Sequence, residues 1–269
     1  MIAVVYLVWG PLGPGPLRDF LASYDRHPAG TDHELVIVFN GVRDEQRATL
    51  EAELQGTRHR LLELPRLALD LAAYGHAAQS LEHPRVCFLN SYSVILADGW
   101  LGHLLRAAEL PRVGLVGATG SWESRVHFIR EGGGLEHWIY QLVKLPQRRR
   151  EYDSFPNPHV RTSAFMLERA LALELGLDRV RDKSDAYRLE SGRQGITREI
   201  QRRGLRAVVV DRNGLAYDAQ DWARAGTYRS AEQRNLLVAD NRTNDWQRGS
   251  RAQRRRMSRR TWGRAHAAE

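Results

Sequence analysis

Two groups of side chains in this sequence have types and spacing that suit chemistry. The first is Asn90-Ser91-Tyr92-Ser93, a polar tetrad that interrupts the apolar stretch VCFLNSYSVILADGWL at residues 86–101. In an open α/β sheet, ligands sit beyond the carboxyl ends of strands, so the tetrad occupies the place of a binding site. Asn and Ser also favour strand-ending turns, because they hydrogen-bond locally, and that reading stays open beside the first. The second group is ionisable. Asp70 lies on a helical repeat, Asp185 and Glu190 flank a helix start, and His159 and Arg161 stand between Phe155-Pro156-Asn157-Pro158 and the apolar run 163–167. Carboxylates at a helix start serve the helix dipole as readily as they serve as proton acceptors. His159 and Arg161 either meet a ligand or cap backbone carbonyls.

The charge balance narrows the ligand. The 269 residues carry a formal charge of +8, with 42% hydrophobic and 27% charged residues, an ordinary composition for a globular chain. Lys144 and Lys183 are the only lysines, so the excess is arginine, whose planar fork suits phosphate and carboxylate oxygens. The densest basic block runs from Arg248 to Arg264. Lone Cys87 lies within an apolar strand, which excludes a disulfide and a cysteine-rich metal site and marks a core thiol. Among other chemistries, GxSxG, HExxH and P-loop signatures are absent. The loop GPLGPG at 10–15 resembles a phosphate cradle, but its interleaved prolines remove the N–H donors that a cradle needs. Asn241-Arg242-Thr243 matches a glycosylation acceptor by chance, since MIAVVYLVW at the start reads as a strand rather than a signal peptide. No apolar run approaches the roughly 18 residues of a membrane span.

The elements that must position these residues alternate. Strands are predicted at 2–9, 34–39, 58–62, 86–89, 113–116, 163–167 and 205–210. Helices fall between them, with apolar stripes such as Leu67, Leu71, Tyr74, Ala78, Leu81 and Trp100, Leu101, Leu104, Leu105, Ala108. This alternation predicts a largely parallel or mixed sheet covered on both faces. The segment 125–158, with Gly132-Gly133-Gly134, Arg148-Arg149-Arg150 and its prolines, is expected to be mobile over one face rather than a long packed element. The tail from about 245 lacks apolar periodicity and is expected to order only on contact with the body or a partner.

In this order the chain resembles inverting glycosyltransferases of the family 2 type. The resemblance covers roughly residues 2–211 and rests on VVYLVWG, VIVFNG, LALDLAAYGHAA, FLNSYS, SAFMLERALALELG and RLESGRQGITREIQRRG, taken in sequence. It implies a GT-A fold, a Rossmann-type mixed α/β sheet with helices on both faces. Residues 1–212 would form the nucleotide-sugar-binding domain, and 213–269 a basic extension on or near the acceptor side. Tyr6, Trp9, Gly10, Asn40 and Gly41 would then border base and ribose, and Asp70 the nucleoside. Asn90, Ser91, Tyr92 and Ser93 would lie near the diphosphate, with His159 and Arg161 also on the donor. Trp122 and Glu123 would face the acceptor, and Glu190 or Asp185 would be the catalytic base.

The chain departs from the family at the tetrad. A DxD-like motif there places carboxylates on a bridging Mg²⁺ or Mn²⁺, whereas Asn90-Ser91-Tyr92 has no acid at either end. Hard cations want anionic oxygen ligands, so no metal ligands are assigned. Either Arg161 with His159, or an arginine of 125–158, replaces the metal; or another acid such as Asp98 supplies a weaker site; or the chain binds a nucleotide-sugar and transfers nothing. The expected function is transfer of a sugar from a nucleotide-sugar donor to a glycan or lipid-linked acceptor, with inversion. The resemblance places such an enzyme in the bacterial cytoplasm, in cell-envelope polysaccharide synthesis, with the C-terminal arginines touching anionic membrane. The alternatives are a non-catalytic nucleotide-sugar-binding or scaffold protein and a basic nucleic-acid-binding protein. No recognition motif accompanies the terminal basic block, so no specific nucleic acid is expected.

Overall fold

A computed structural model describes residues 1–64, 66–126 and 135–264, and within 135–138 and 140–141 the backbone alone. The opening apolar run is strand β1 (Ile2–Trp9), followed by α1 (Gly15–Arg26), β2 (His33–Asn40), α2 (Asp44–Glu53), β3 (Arg60–Glu63), α3 (Asp70–Gln79) and β4 (Arg85–Leu89). Past the tetrad come β5 (Val94–Ile95), α4 (Trp100–Ala108), β6 (Val113–Gly117), β7 (Gly120–Ser121), α5 (Leu135–Glu151), β8 (His159–Val160) and β9 (Ala164–Glu168). Then follow α6 (Arg169–Glu174), α7 (Lys183–Ser191), α8 (Ile196–Arg202), β10 (Arg206–Val210), β11 (Ala216–Tyr217), β12 (Val238–Ala239), α9 (Asn241–Arg248) and α10 (Arg251–Trp262).

The main sheet has the order β11-β10-β6-β9-β4-β1-β2-β3. β9 runs antiparallel to β4 and β6, β11 runs antiparallel to β10, and the other neighbours are parallel. Continuous apolar strands follow from burial on both faces. In β1, Ala3, Val5 and Leu7 enter one apolar layer with α3, α6 and α8, while Ile2, Val4, Tyr6 and Val8 enter the other with α1, α2 and α4. Leu17, Phe20 and Leu21 of α1, and Trp100, Leu101, Leu104 and Ala107 of α4, are the helical stripes that seal the second layer.

Register brings the polar ends together. Trp9 pairs with Asn40 and Tyr6 with Leu89, so the ends of β1, β2 and β4 finish side by side at the tetrad. A Cβ on Gly10 would fall 2.2 Å from the carbonyl oxygen of Gly41, itself at φ +65°, so the two loops close over each other only with glycine at these positions.

One expectation changes and a second is narrowed. Residues 127–134, with Gly132-Gly133-Gly134, lie outside the described residues, but the rest of the segment expected to be mobile contains the 17-residue helix α5, which carries Pro146 within it. The contact that orders the C-terminal tail is with the body. Its helix α10 starts with a Ser250/Gln253 capping box and ends on Trp262, which is 1% exposed and packs edge-on to Trp122 at 5.4 Å. Trp222 and Trp262 join the same apolar layer as α3 and α8, so this part of the chain completes the core. No helix among the described residues is long and apolar enough to cross a membrane.

Candidate active site

The tetrad is a hydrogen-bonded turn. Asn90 Oδ1 accepts from Tyr92 N and Ser93 Oγ, both at 3.1 Å, and Asn90 N donates to Ser163 O at 2.9 Å. Ser91 Oγ accepts from Trp9 N at 3.2 Å, and Ser91 O accepts from Tyr6 Oη at 2.8 Å. Tyr6 therefore serves the turn from beneath. It is fully buried and stacked on Phe20 at 3.8 Å, with burial pushing its phenol pKa up, so its side chain faces the core rather than a nucleotide base. The Asn40 side chain is likewise taken by backbone groups. Its amide donates to Ala68 O at 2.8 Å and accepts from Ala68 N at 2.9 Å, pinning the approach to α3 from a fully buried position. Trp9, at the end of β1, reaches solvent, and Tyr92 is half-buried.

A cleft of about 620 Å³, whose lining includes none of the turn residues, is bordered among others by Glu123, His159, Arg161, Tyr187, Glu190 and Tyr228. Glu190 stands near the end of α7. Its Oε1 accepts from both Thr162 N and Thr162 Oγ1 at 3.1 Å, and its Oε2 has no hydrogen-bond partner among the described residues. The carboxylate is thus held by one oxygen and offers the other. His159 is buried, and its Nδ1 donates to Asn157 O at 2.8 Å, which leaves Nε2 as an acceptor. Burial lowers the His159 pKa against the pull of Glu190, so the ring stays neutral. Asp70, at the first turn of α3, is open to solvent yet crowded enough that desolvation raises its pKa, with the Glu190 charge adding to the rise.

Arg161 forms the inner wall. Its guanidinium lies 2.8 Å from Asp240 Oδ2, donates to Thr119 Oγ1 at 3.1 Å and sits 4.2 Å from the centroid of Tyr228. Burial opposes its charge, but Asp240, Tyr228 and Glu190 more than offset this and raise its pKa. Asp240 caps α9 by accepting from Thr243 N at 2.8 Å, and the pair joins the carboxyl-terminal helices to the loop before β9.

Asp185 lies apart from Glu190. It borders a different recess with Arg150, Glu151 and Arg188. Its carboxylate accepts from Arg181 N at 3.1 Å and pairs with the Arg181 and Arg188 side chains, which lower its pKa. Of the two candidate bases, Glu190 alone lines the cleft. Trp122 packs against Trp262 and donates from Nε1 to Ala219 O at 2.8 Å, so it supports the wall that Glu123 lines. Glu123 pairs with Arg229 and Arg260. Asp98 pairs with His27 at 2.7 Å and does not line the cleft.

The fold is similar to that of several solved structures. A mannosyltransferase from Pyrobaculum calidifontis, in complex with GDP-Man and Mn²⁺, superposes with a TM-score of 0.51 at 14% identity, over 84% of this chain and 59% of its own. The chain has a GT-A-like fold. Glucosyl-3-phosphoglycerate synthase from Mycobacterium tuberculosis (TM-score 0.39, 15% identity, 64% of this chain and 56% of that one) and S. aureus TarS (0.43, 12%, 70% and 53%) are similar at greater distance. This chain thus spans less than two thirds of each of these three structures. No family model matches the sequence, and no curated protein does.

The GT-A-like position for a divalent cation, after β4, does not fit a hard ion here. The turn has no carboxylate, Asn90 Oδ1 is already taken by Tyr92 and Ser93, and Ser91 Oγ by Trp9. Among the described residues, no three of His, Cys, Asp and Glu gather as a ligand set.

Sequence reading missed Asp240, Thr162, Tyr228 and Arg229, whereas Arg256 and Arg260 fall within the basic block from Arg248 to Arg264. Only the Asp240-to-Thr243 spacing, a capping-box signature, hinted at Asp240. The others converge from segments far apart in the chain.

Proposed function

We propose that this chain is an inverting, family 2-like glycosyltransferase that moves a sugar from a nucleotide-sugar donor to a hydroxyl-bearing glycan or lipid-linked acceptor, with Glu190 as general base. The carrying observation is the Glu190 carboxylate, fixed through Oε1 by Thr162 with Oε2 open to an arginine-lined cleft. Glu190 Oε2 takes the proton of the acceptor hydroxyl as that oxygen attacks the anomeric carbon. The new C–O bond forms as the bond to the nucleoside diphosphate breaks, and the electron pair leaves with the diphosphate. Arg161, buried and charged at the inner wall, favours the negative charge that develops there. His159, whose pKa is lowered by burial, adds a hydrogen-bond acceptor at Nε2. Because the turn after β4 does not suit a cation, no step runs through a metal. The exposed Arg251, Arg255 and Arg259 of α10 support contact with anionic lipid, as a lipid-linked acceptor requires.

Thermal shift and transfer assays on Glu190→Gln test this reading. The variant is expected to keep the wild-type rise in melting temperature with uridine, guanosine or thymidine diphosphate while transfer falls about 10²–10⁴-fold. A wild-type protein that binds the nucleotide but releases none from any donor would favour a binding protein instead.

A further inference from the structure

Helix α5 turns an apolar face to solvent. Ile139, Leu142 and Val143 are 52%, 55% and 69% exposed, and Pro146 is exposed with them. Their spacing puts all four on one side of an α-helix. The same side continues, three helical turns on from Ile139, to Arg149 and Arg150, which are also exposed. Between 139 and 150 the helix carries no acidic residue, and Glu151, further round its circumference, is held by Arg188 at 3.2 Å. Other exposed large apolar side chains among the described residues, such as Met1, Leu67, Leu110 and Leu215, come from separate segments. Aliphatic residues exposed singly are ordinary on a protein surface, whereas a contiguous stripe marks a contact with something apolar.

Charge complementarity selects the partner. An aliphatic stripe that runs into a cationic last turn matches a surface with hydrocarbon just beneath negative oxygens, as in an anionic lipid leaflet. Arginine stems lie along such an apolar boundary while their guanidiniums stay at phosphate level. A second copy of the chain fits less well. Three aliphatic side chains fall short of the roughly 800 Å² that a standard interface buries on each partner, and a two-fold axis would set arginine against the stripe or against arginine. The place of α5 in the chain favours the same partner. The segments on either side of it line the cleft, through Arg125 before it and His159 and Arg161 after it. Phe155, exposed just past α5, reaches the end of α10, where a Cβ on Gly263 would fall 3.1 Å from its ring. We infer that α5 is an interfacial helix, with Ile139, Leu142 and Val143 entering the acyl boundary of an anionic bilayer and Arg149 and Arg150 among its phosphates. This docking does not depend on the transferase reading; where transfer takes place, it brings the cleft to the surface that holds a lipid-linked acceptor.

Flotation of the full chain with vesicles of phosphatidylcholine alone, and of equal parts phosphatidylcholine and phosphatidylglycerol, tests the docking. The wild type is expected to float with the mixed vesicles and far less with phosphatidylcholine alone. Leu142→Gln/Val143→Gln is expected to weaken partitioning about tenfold or more, the scale of two aliphatic groups leaving hydrocarbon. Arg149→Gln/Arg150→Gln is expected to weaken it about tenfold on the mixed vesicles. Leu110→Gln/Leu215→Gln removes exposed apolar side chains from other segments and is expected to change nothing. Equal melting temperatures for these variants control for folding. A fluorophore on Val143→Cys is expected to shift to the blue with the mixed vesicles, buried Cys87 staying unlabelled. Arg251→Gln/Arg255→Gln/Arg259→Gln separates the contribution of α10. Loss of flotation in that variant, with both α5 variants unchanged, would overturn docking through α5. No flotation of the wild type, or no blue shift at position 143, would overturn it as well. A dimer in sedimentation that Leu142→Gln/Val143→Gln dissociates would assign the face to a second copy instead. Flotation without any nucleotide binding would sink the transferase reading and leave the docking intact.

Discussion

Thr162 decides which oxygen of Glu190 is free. Its backbone N–H and hydroxyl both hold Oε1, so Oε2 faces the cleft in a fixed orientation. Thr162→Val removes one of the two bonds and is expected to lower kcat about tenfold with KM little changed, the scale of one hydrogen bond to a charged group. Asp185→Asn is expected to leave transfer at the wild-type rate, since that carboxylate serves Arg181 and Arg188. Loss of transfer in Asp185→Asn would instead bring Asp185 into the site. Both carboxylates could be read from the sequence as candidates. Their difference depends on Thr162, which is 28 residues from Glu190 and belongs to another element, so no local pattern exposes it. Tyr6 and Asn40 illustrate the complementary case. Each ends up beside the site, but its polar atoms are taken by backbone groups of the loops that frame it.

The elements that close the cleft are joined by a buried charge pair. Arg161, just after β8, and Asp240, the cap of α9, are both almost fully buried. Removing one partner leaves the other charge uncompensated, so Asp240→Asn is expected to cost about 3–5 kcal/mol in urea unfolding. Burial opposes the Asp240 charge, but Arg161 and the Thr243 amide prevail and lower its pKa below that of the unfolded chain. The stabilisation is therefore complete above the ordinary carboxylate range near pH 4 and lost as pH falls through the depressed folded value. The gap between wild type and Asp240→Asn should narrow as pH drops below about 4. A gap that stays constant from pH 7 to pH 2 would show that Asp240 is not ionised in the fold. Trp262→Ala is expected to cost about 3–5 kcal/mol by opening the layer between Trp122 and Tyr228. The tail's polar sequence hid this contact, because α10 docks through Ser258, Thr261 and Trp262 rather than through an apolar stripe.

Across the whole molecule, the strands and helices of residues 2–126 were legible because their apolar runs and stripes answer to two buried layers. The long helix α5 was not, since Pro146 and the nearby glycines speak against a helix locally. The GT-A-like fold followed from the order of elements. What the order could not carry was the charge of the cleft, which gathers arginines from positions 125 to 260. Because the turn after β4 does not suit a hard cation, transfer is expected to proceed at an unchanged rate in excess EDTA. A rate that collapses in EDTA and returns with Mn²⁺ would mean that ligands outside this turn hold a metal. The most direct test of the central claim is release of nucleoside diphosphate from a panel of nucleotide-sugars, in parallel for wild type and Glu190→Gln. The account predicts release by the wild type and a loss of about 10²–10⁴-fold in the variant, with nucleotide binding intact. Equal release by the two proteins would contradict it.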